Sequence, residues 1–187
     1  RHDLRVEGLE HMQAARAGGR GVIVISAHFT TLEIAGRLMC DYAPLAGMYR
    51  PHDQGAMEWA VKRGRLRYAA AMFTREELRP ALKHLKQGGL LWFAPDQDTR
   101  RGESVYVPFF NRPAYSLTST HQLARLSGAA VVAFAHERRD DGGVEQVGGE
   151  DDRGTVSTGF DQQVGDGVDA IEVDPVESAD TGELLDD

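Results

Sequence analysis

Gly21-Val22-Ile23-Val24-Ile25-Ser26-Ala27-His28-Phe29-Thr30-Thr31-Leu32-Glu33 is the stretch whose reading decides the fold. Residues 22–25 are β-branched without a polar interruption. A strand with one wet face alternates apolar and polar, so an unbroken run predicts a strand covered on both faces. The chain then turns polar and delivers His28 in a loop. Leu32, Ile34, Ala35, Leu38 and Met39 follow at helical spacing, which predicts a helix from about Thr31 to Cys40.

The same strand-loop-helix unit recurs outward from this stretch. Leu45–Tyr49 reads as a second strand, with Arg50 at its end and Pro51 forcing an extended exit. A helix is expected from about Ala56 to Tyr68, then a short strand around Ala70–Phe73. Thr74-Arg75-Glu76-Glu77 is a capping box that opens a helix running to Gln87, where Gly88-Gly89 stops it. Pro80 requires that this helix start close to it or kink there. Leu90–Ala94 is another buried strand, ending at Pro95-Asp96-Gln97-Asp98. Residues 105–110 read as a strand or sheet edge, Tyr115–Leu126 as a helix ending at Gly128, and Ala129–Ala135 as the last strand. Leu4, Leu9, Met12 and Ala15 give residues 1–20 a rough helical stripe ending at Gly18-Gly19. Alternating helices and buried strands predict an α/β domain with a largely parallel sheet flanked by helices.

The 187 residues suffice for one domain with a real core. The net charge of −8 is unevenly spread. Residues 1–137 carry 18 Lys and Arg against 13 Asp and Glu, whereas residues 138–187 carry 3 against 16. The mildly basic part suits acidic partners. The remainder, rich in glycine and acid, has seven valines, two leucines and one aromatic residue, Phe160. The expected organisation is therefore a domain over residues 1–137 and an irregular acidic tail over 138–187, disordered or an altered end of the domain. Cys40 is the only cysteine, which rules out an intrachain disulfide and points to a reducing compartment. No apolar run reaches the length of a membrane-spanning helix. The chain begins with arginine, so a fragment of a longer protein is expected.

Three polar residues fall at strand ends: His28, Arg50 and Asp96. Open α/β sheets collect ligands at the carboxyl ends of their strands. A histidine there can serve as general base, and Glu33 in the following helix turn is the nearest carboxylate in sequence to orient it. The two converge only if His28 precedes the helix, because five positions along a helix place side chains about 140° apart. The same residues admit a plainer role, since Thr30-Thr31-Leu32-Glu33 is itself a capping box and Asp96-Gln97-Asp98 an ordinary polar turn. Lys62, Arg63, Arg65 and Arg67 form a basic run suited to clamping phosphate or to coating a solvated helix face. Tyr49, Trp59, Tyr68 and Trp92 read as core or interface aromatics, and His84, His121 and His136 as structural or exposed. No zinc-ligand spacing, phosphate-binding glycine loop or dinucleotide fingerprint is present.

Taken together, His28-Phe29-Thr30-Thr31-Leu32-Glu33, Met48-Tyr49-Arg50-Pro51, Arg63-Gly64-Arg65, Ala94-Pro95-Asp96-Gln97-Asp98 and Val107-Pro108-Phe109-Phe110 resemble the lauroyl/myristoyl acyltransferases of lipid A biosynthesis. The resemblance covers roughly residues 1–137. It implies transfer of a fatty acyl chain from acyl carrier protein to a hydroxyl of a lipid A precursor of the Kdo2-lipid IV(A) type, without cofactor or metal. It assigns a His-x4-Glu pair to His28 and Glu33, adds Arg65 and Asp96 as active-site residues, and puts Arg50 and Arg63 at the substrate. On that reading Glu33 fixes the tautomer of His28, and Asp96 positions Arg65 or the acceptor. It further implies contact with a membrane surface, at the cytoplasmic face of the inner membrane, and no nucleic-acid partner. The pair reports the reaction and not the acceptor, so another membrane lipid fits the same residues. A non-catalytic phosphate- or nucleic-acid-binding module is the reading from a different class; the small basic excess and the lack of interleaved stacking aromatics speak against it.

Overall fold

A computed structural model describes residues 4–97, 104–140 and 143–149. The elements in chain order are β1 (Leu4–Glu7), α1 (Leu9–Ala17), β2 (Val22–Ile25), α2 (Leu32–Met39), β3 (Leu45–Tyr49), α3 (Gly55–Arg65) and β4 (Ala71–Thr74). They continue with α4 (Leu78–Lys86), β5 (Leu90–Phe93), β6 (Ser104–Phe109), β7 (Arg112–Leu117), α5 (Ser119–Ser127), β8 (Ala130–Arg138) and β9 (Val144–Gly149). Seven strands form one sheet in the order β1-β9-β8-β2-β5-β3-β4, and β6 and β7 make a separate antiparallel ribbon. All neighbours in the large sheet are parallel except β8 and β9. This is the largely parallel α/β architecture expected from the buried runs.

The alternation of side chains along the strands divides the core in two. Val22 and Val24 face one side with Leu90, Trp92, Val132 and Phe134, where Met12 and Ala15 of α1 and Ala35 and Met39 of α2 cover them. Ile23, Ala46 and Leu91 face the other side, covered by Ala81 and Leu85 of α4 and Leu123 of α5. Both faces of β2 and β5 are thus sealed, which is why their sequences carry no polar alternation. Gly21 marks a tight approach: a Cβ there would sit 2.2 Å from the Leu85 carbonyl oxygen.

Four expectations need correction. Residues 1–20 are not one helix; Leu4–Glu7 pair with Val144–Val147, and Gly8 at φ 72° separates that strand from α1. Pairing with a strand about 140 residues away has no local signature, and Leu4 happens to fit a helical stripe. Tyr115–Leu117 belong to β7, and α5 starts only at Ser119. The hairpin turn is Phe110-Asn111, both at positive φ as a type I′ loop requires. Ala130–Arg138 is not the last strand, and the boundary expected at Glu137 falls inside it. β9 continues the sheet, with Val144 only 2% exposed in the first core. The acidic sequence beyond Gly149 lies outside the described residues, as does Asp98.

Pro80 needs no kink. It is the third residue of α4, where the missing N–H is one that a helix leaves unpaired anyway. Glu77 accepts a hydrogen bond from the Thr74 backbone N–H at 2.8 Å, half of the expected capping box. No helix among the described residues is long and apolar enough to cross a membrane.

Candidate active site

Parallel pairing of β2 with β5 sets Ile25 beside Phe93, and the Ser26 N–H continues the ladder to the Phe93 carbonyl at 3.0 Å. Three residues beyond that pair on each strand stand His28 and Asp96. The Asp96 carboxylate accepts two bonds from one residue: the His28 backbone N–H at 2.9 Å through Oδ2, and His28 Nδ1 at 2.6 Å through Oδ1. Partial burial raises the Asp96 pKa, but the backbone and ring bonds from His28 outweigh it and hold the carboxyl below its ordinary value. An ionised Asp96 places the imidazole proton on Nδ1, which leaves Nε2 with a free lone pair.

Glu33 does not meet His28. Among the described residues no hydrogen bond or ion pair joins them; Glu33 clasps Arg65 instead. Arg65 Nε donates to Glu33 Oε2 at 3.3 Å, and Nη2 pairs with Oε1. The fork of guanidinium and carboxylate is bidentate, and Arg65 also stands 5.6 Å from the Tyr49 ring centre. Nη1 remains for a ligand. The expected partners are therefore exchanged: Asp96 orients His28, and Glu33 orients Arg65. Sequence proximity suggested the opposite because Glu33 is close in the chain, whereas the strand register decides which carboxylate is close in space. The capping-box role for Glu33 fails too, since no side-chain bond caps α2 and Thr31 turns its hydroxyl to His136.

His28, Glu33, Arg65 and Arg50 all line one cavity of about 320 Å³. Its mouth is charged and its interior apolar, reaching Leu45, Met72 and Trp92. Two glycines keep it open. A Cβ on Gly36, in the middle of α2, would meet nothing within 4 Å, and one on Gly47 would press on the end of Met72 at 3.0 Å. Cys40 lines the same wall, and burial raises its thiol pKa, so it serves as a small apolar group rather than a nucleophile. Arg50 is exposed at the mouth. Arg63 lies elsewhere, exposed on the outer side of α3 with its guanidinium 5.5 Å from the Trp59 ring centre. Trp59 is likewise exposed, not a core aromatic, whereas Trp92 is buried as expected.

Two features escaped sequence reasoning. The Tyr49 hydroxyl donates to Glu58 Oε1 at 2.5 Å, and burial together with that carboxylate pushes the phenol up to about 12. Glu58 also accepts from the His52 N–H at 3.0 Å, and so ties the loop after β3 to α3. Behind the His28 loop, His136 is 4% exposed and burial lowers its pKa to about 4. Thr31 Oγ1 donates to the His136 carbonyl at 3.3 Å and accepts from its Nδ1 at 2.7 Å. The Phe29 ring stands edge-on at 4.8 Å. His136 is structural, as expected, but its anchoring of the His28 loop could not be read from a strand 105 residues away from Thr31.

The profile of the bacterial lipid A biosynthesis acyltransferase family matches residues 1–148. Over 137 residues the chain is 43% identical to the lipid A biosynthesis palmitoleoyltransferase of Escherichia coli K12, covering 73% of this chain and 45% of that protein. It is 40% identical over 138 residues to the lipid A biosynthesis lauroyltransferase of the same organism, again covering 73% and 45%. A lipid A biosynthesis acyltransferase of Haemophilus influenzae is 35% identical over 140 residues, covering 74% and 44%. The chain spans a little under half the length of these curated relatives.

Proposed function

The chain belongs to the bacterial lipid A biosynthesis acyltransferase family, and on that premise we propose that it moves a fatty acyl group from acyl carrier protein to a hydroxyl of a lipid A precursor. The observation that carries the reading is His28, which lines an apolar cavity with charged residues at its mouth and is held from behind by Asp96. An alcohol is a weak nucleophile at neutral pH and needs a base during attack. His28 Nε2, left free by the bond from Nδ1 to Asp96, takes the acceptor hydroxyl proton as its oxygen attacks the thioester carbonyl. The tetrahedral intermediate then collapses, the carbon–sulfur bond breaks, and His28 returns the proton to the departing thiolate. Asp96 stabilises the imidazolium between these steps, as in a triad that lacks its own nucleophile.

Arg65, locked by Glu33, supplies fixed positive charge for the oxyanion or an acceptor phosphate. Arg50 at the mouth suits a second phosphate. The apolar interior, kept clear at Gly36 and Gly47, suits an acyl chain. Because the carrier is cytoplasmic and the acceptor a membrane lipid, the reaction belongs at the cytoplasmic face of the inner membrane. The test is an in vitro transfer assay with acyl carrier protein as donor and mass spectrometry of the lipid product. A single added acyl chain, lost in His28→Ala, is the expected result. Equal product from the wild type and His28→Ala would refute the reading.

A further inference from the structure

α3 has two faces, and the mechanism uses one. Arg65 and Glu58 turn toward the cavity wall, bonded to Glu33 and Tyr49. Trp59, Lys62, Arg63 and Leu66 follow at spacings of three and four, which puts them together on the other face. Trp59 and Leu66, seven residues apart, are nearly aligned along the helix. α3 buries no residue at all; Trp59 is 65% and Leu66 47% exposed. With Arg67, these residues line one shallow groove on the surface. None of the three cations forms an ion pair among the described residues, and Arg63 stacks over the Trp59 ring.

We propose that this outer face of α3 docks on an anionic lipid bilayer. An exposed indole beside an exposed leucine is unfavourable in water, but an indole suits the boundary between headgroups and acyl chains, where its ring is apolar and its N–H stays wet. Lys62, Arg63 and Arg67 flank that apolar centre, where long basic side chains reach anionic headgroups while their stems cover apolar surface. Their charge complements the negative cytoplasmic leaflet. An acidic carrier protein would also match the cations, yet it gives no use to the apolar pair between them. The inference rests on the reading that the acceptor is a membrane lipid: Arg65 lies about 120° around the helix from Trp59 and about 60° from Lys62, so docking through this face holds the adjoining one, with Arg65 and the cavity, close to the bilayer.

The test is flotation of the full chain with phosphatidylcholine vesicles and with vesicles that also contain phosphatidylglycerol, without donor or acceptor. The wild type should float with the anionic vesicles only, and added salt should weaken binding. Lys62→Gln and Arg63→Gln should each weaken binding by ~5-fold. Trp59→Ala should lose binding by a similar factor or more, with an unchanged circular dichroism spectrum. Trp59 fluorescence, read in a Trp92→Phe background, should shift to the blue on binding. Wild type that stays unbound, or variants that bind like wild type, would overturn the proposal. So would variants that keep vesicle binding but raise the KM for acyl carrier protein, which would make this face a carrier site. A chain that docks through this face yet transfers no acyl group would refute the acyltransferase reading and leave the docking inference intact.

Discussion

The strand pair β2 and β5 and the helix α3 supply the two halves of the site, and they are built in contrasting ways. Ile23 and Leu91, one on each strand, are wholly buried, and a parallel ladder locks their relative height. α3 buries nothing and is held by the Arg65–Glu33 pair and the Glu58 contacts to Tyr49 and His52. The lesson is a division of labour. The proton-handling pair stands directly beyond a ladder buried on both faces, where a misplacement of a fraction of an ångström costs rate. The charge that meets a large lipid stands on a peripheral helix held by polar contacts rather than by burial.

The strongest way to break this contrast is to exchange the fates of the two carboxylates. His28→Ala should cut transfer by ~10²–10⁴-fold, with little change in melting temperature because the ring is 43% exposed and stands outside both cores. Asp96→Asn should cost ~10²-fold or more in kcat, because the tautomer and the imidazolium lose their anchor. If Asp96→Asn were nearly silent while Glu33→Gln inactivated, the assignment of Asp96 to His28 would be wrong. Next in size is stability. Leu91→Ala should cost ~2–5 kcal/mol in a urea titration, whereas Val61→Ala on half-buried α3 should cost less than ~1 kcal/mol. Comparable losses would show that α3 carries core energy.

The third prediction probes the support behind the His28 loop. An unfolded histidine takes up its proton as the pH falls through about 6.5, while native His136 resists until about 4. Between those values the unfolded chain binds more protons, so stability falls as the pH falls, by about 3 kcal/mol in all. Asp96, held below its ordinary value, adds loss in the same direction only at still lower pH. Unfolding midpoints measured from pH 7 to 4.5 should show this slope, and His136→Asn should flatten it. The smallest effect belongs to the α3 side. Glu33→Gln should lower kcat/KM about fivefold, because the Glu33 side of its pair with Arg65 is 60% exposed and solvent screens the charge that is lost. A change in KM with kcat preserved would mark Arg65 as a positioning group for the acceptor rather than a partner of the transition state.

The legible parts of the fold were those with local causes. Leu45–Tyr49 is a strand at the bounds read from its apolar run and the following Pro51. Pro80 narrowed α4 to a start close by or a kink, and the start at Leu78 is the first of these. The illegible parts depend on distant partners. Leu4–Glu7 is a strand because Val144–Val147 lie beside it, and Arg112–Leu117 is a strand because Ser104–Phe109 folds back on it. At the site, His28 was readable as a residue type at a strand end and Arg65 as one of a basic run, whereas the choice between core and interface for Trp59 was not, because no local rule says which face of a helix finds a neighbour.

The amino-acid order alone determined a doubly covered parallel sheet, since runs such as Val22–Ile25 are soluble only inside one, and it delivered a histidine to the carboxyl edge. Only the tertiary structure decided that Asp96 rather than Glu33 holds His28. Strand register matched Ile25 to Phe93 across 68 residues, and hydrogen bonding follows distance in space rather than distance along the chain.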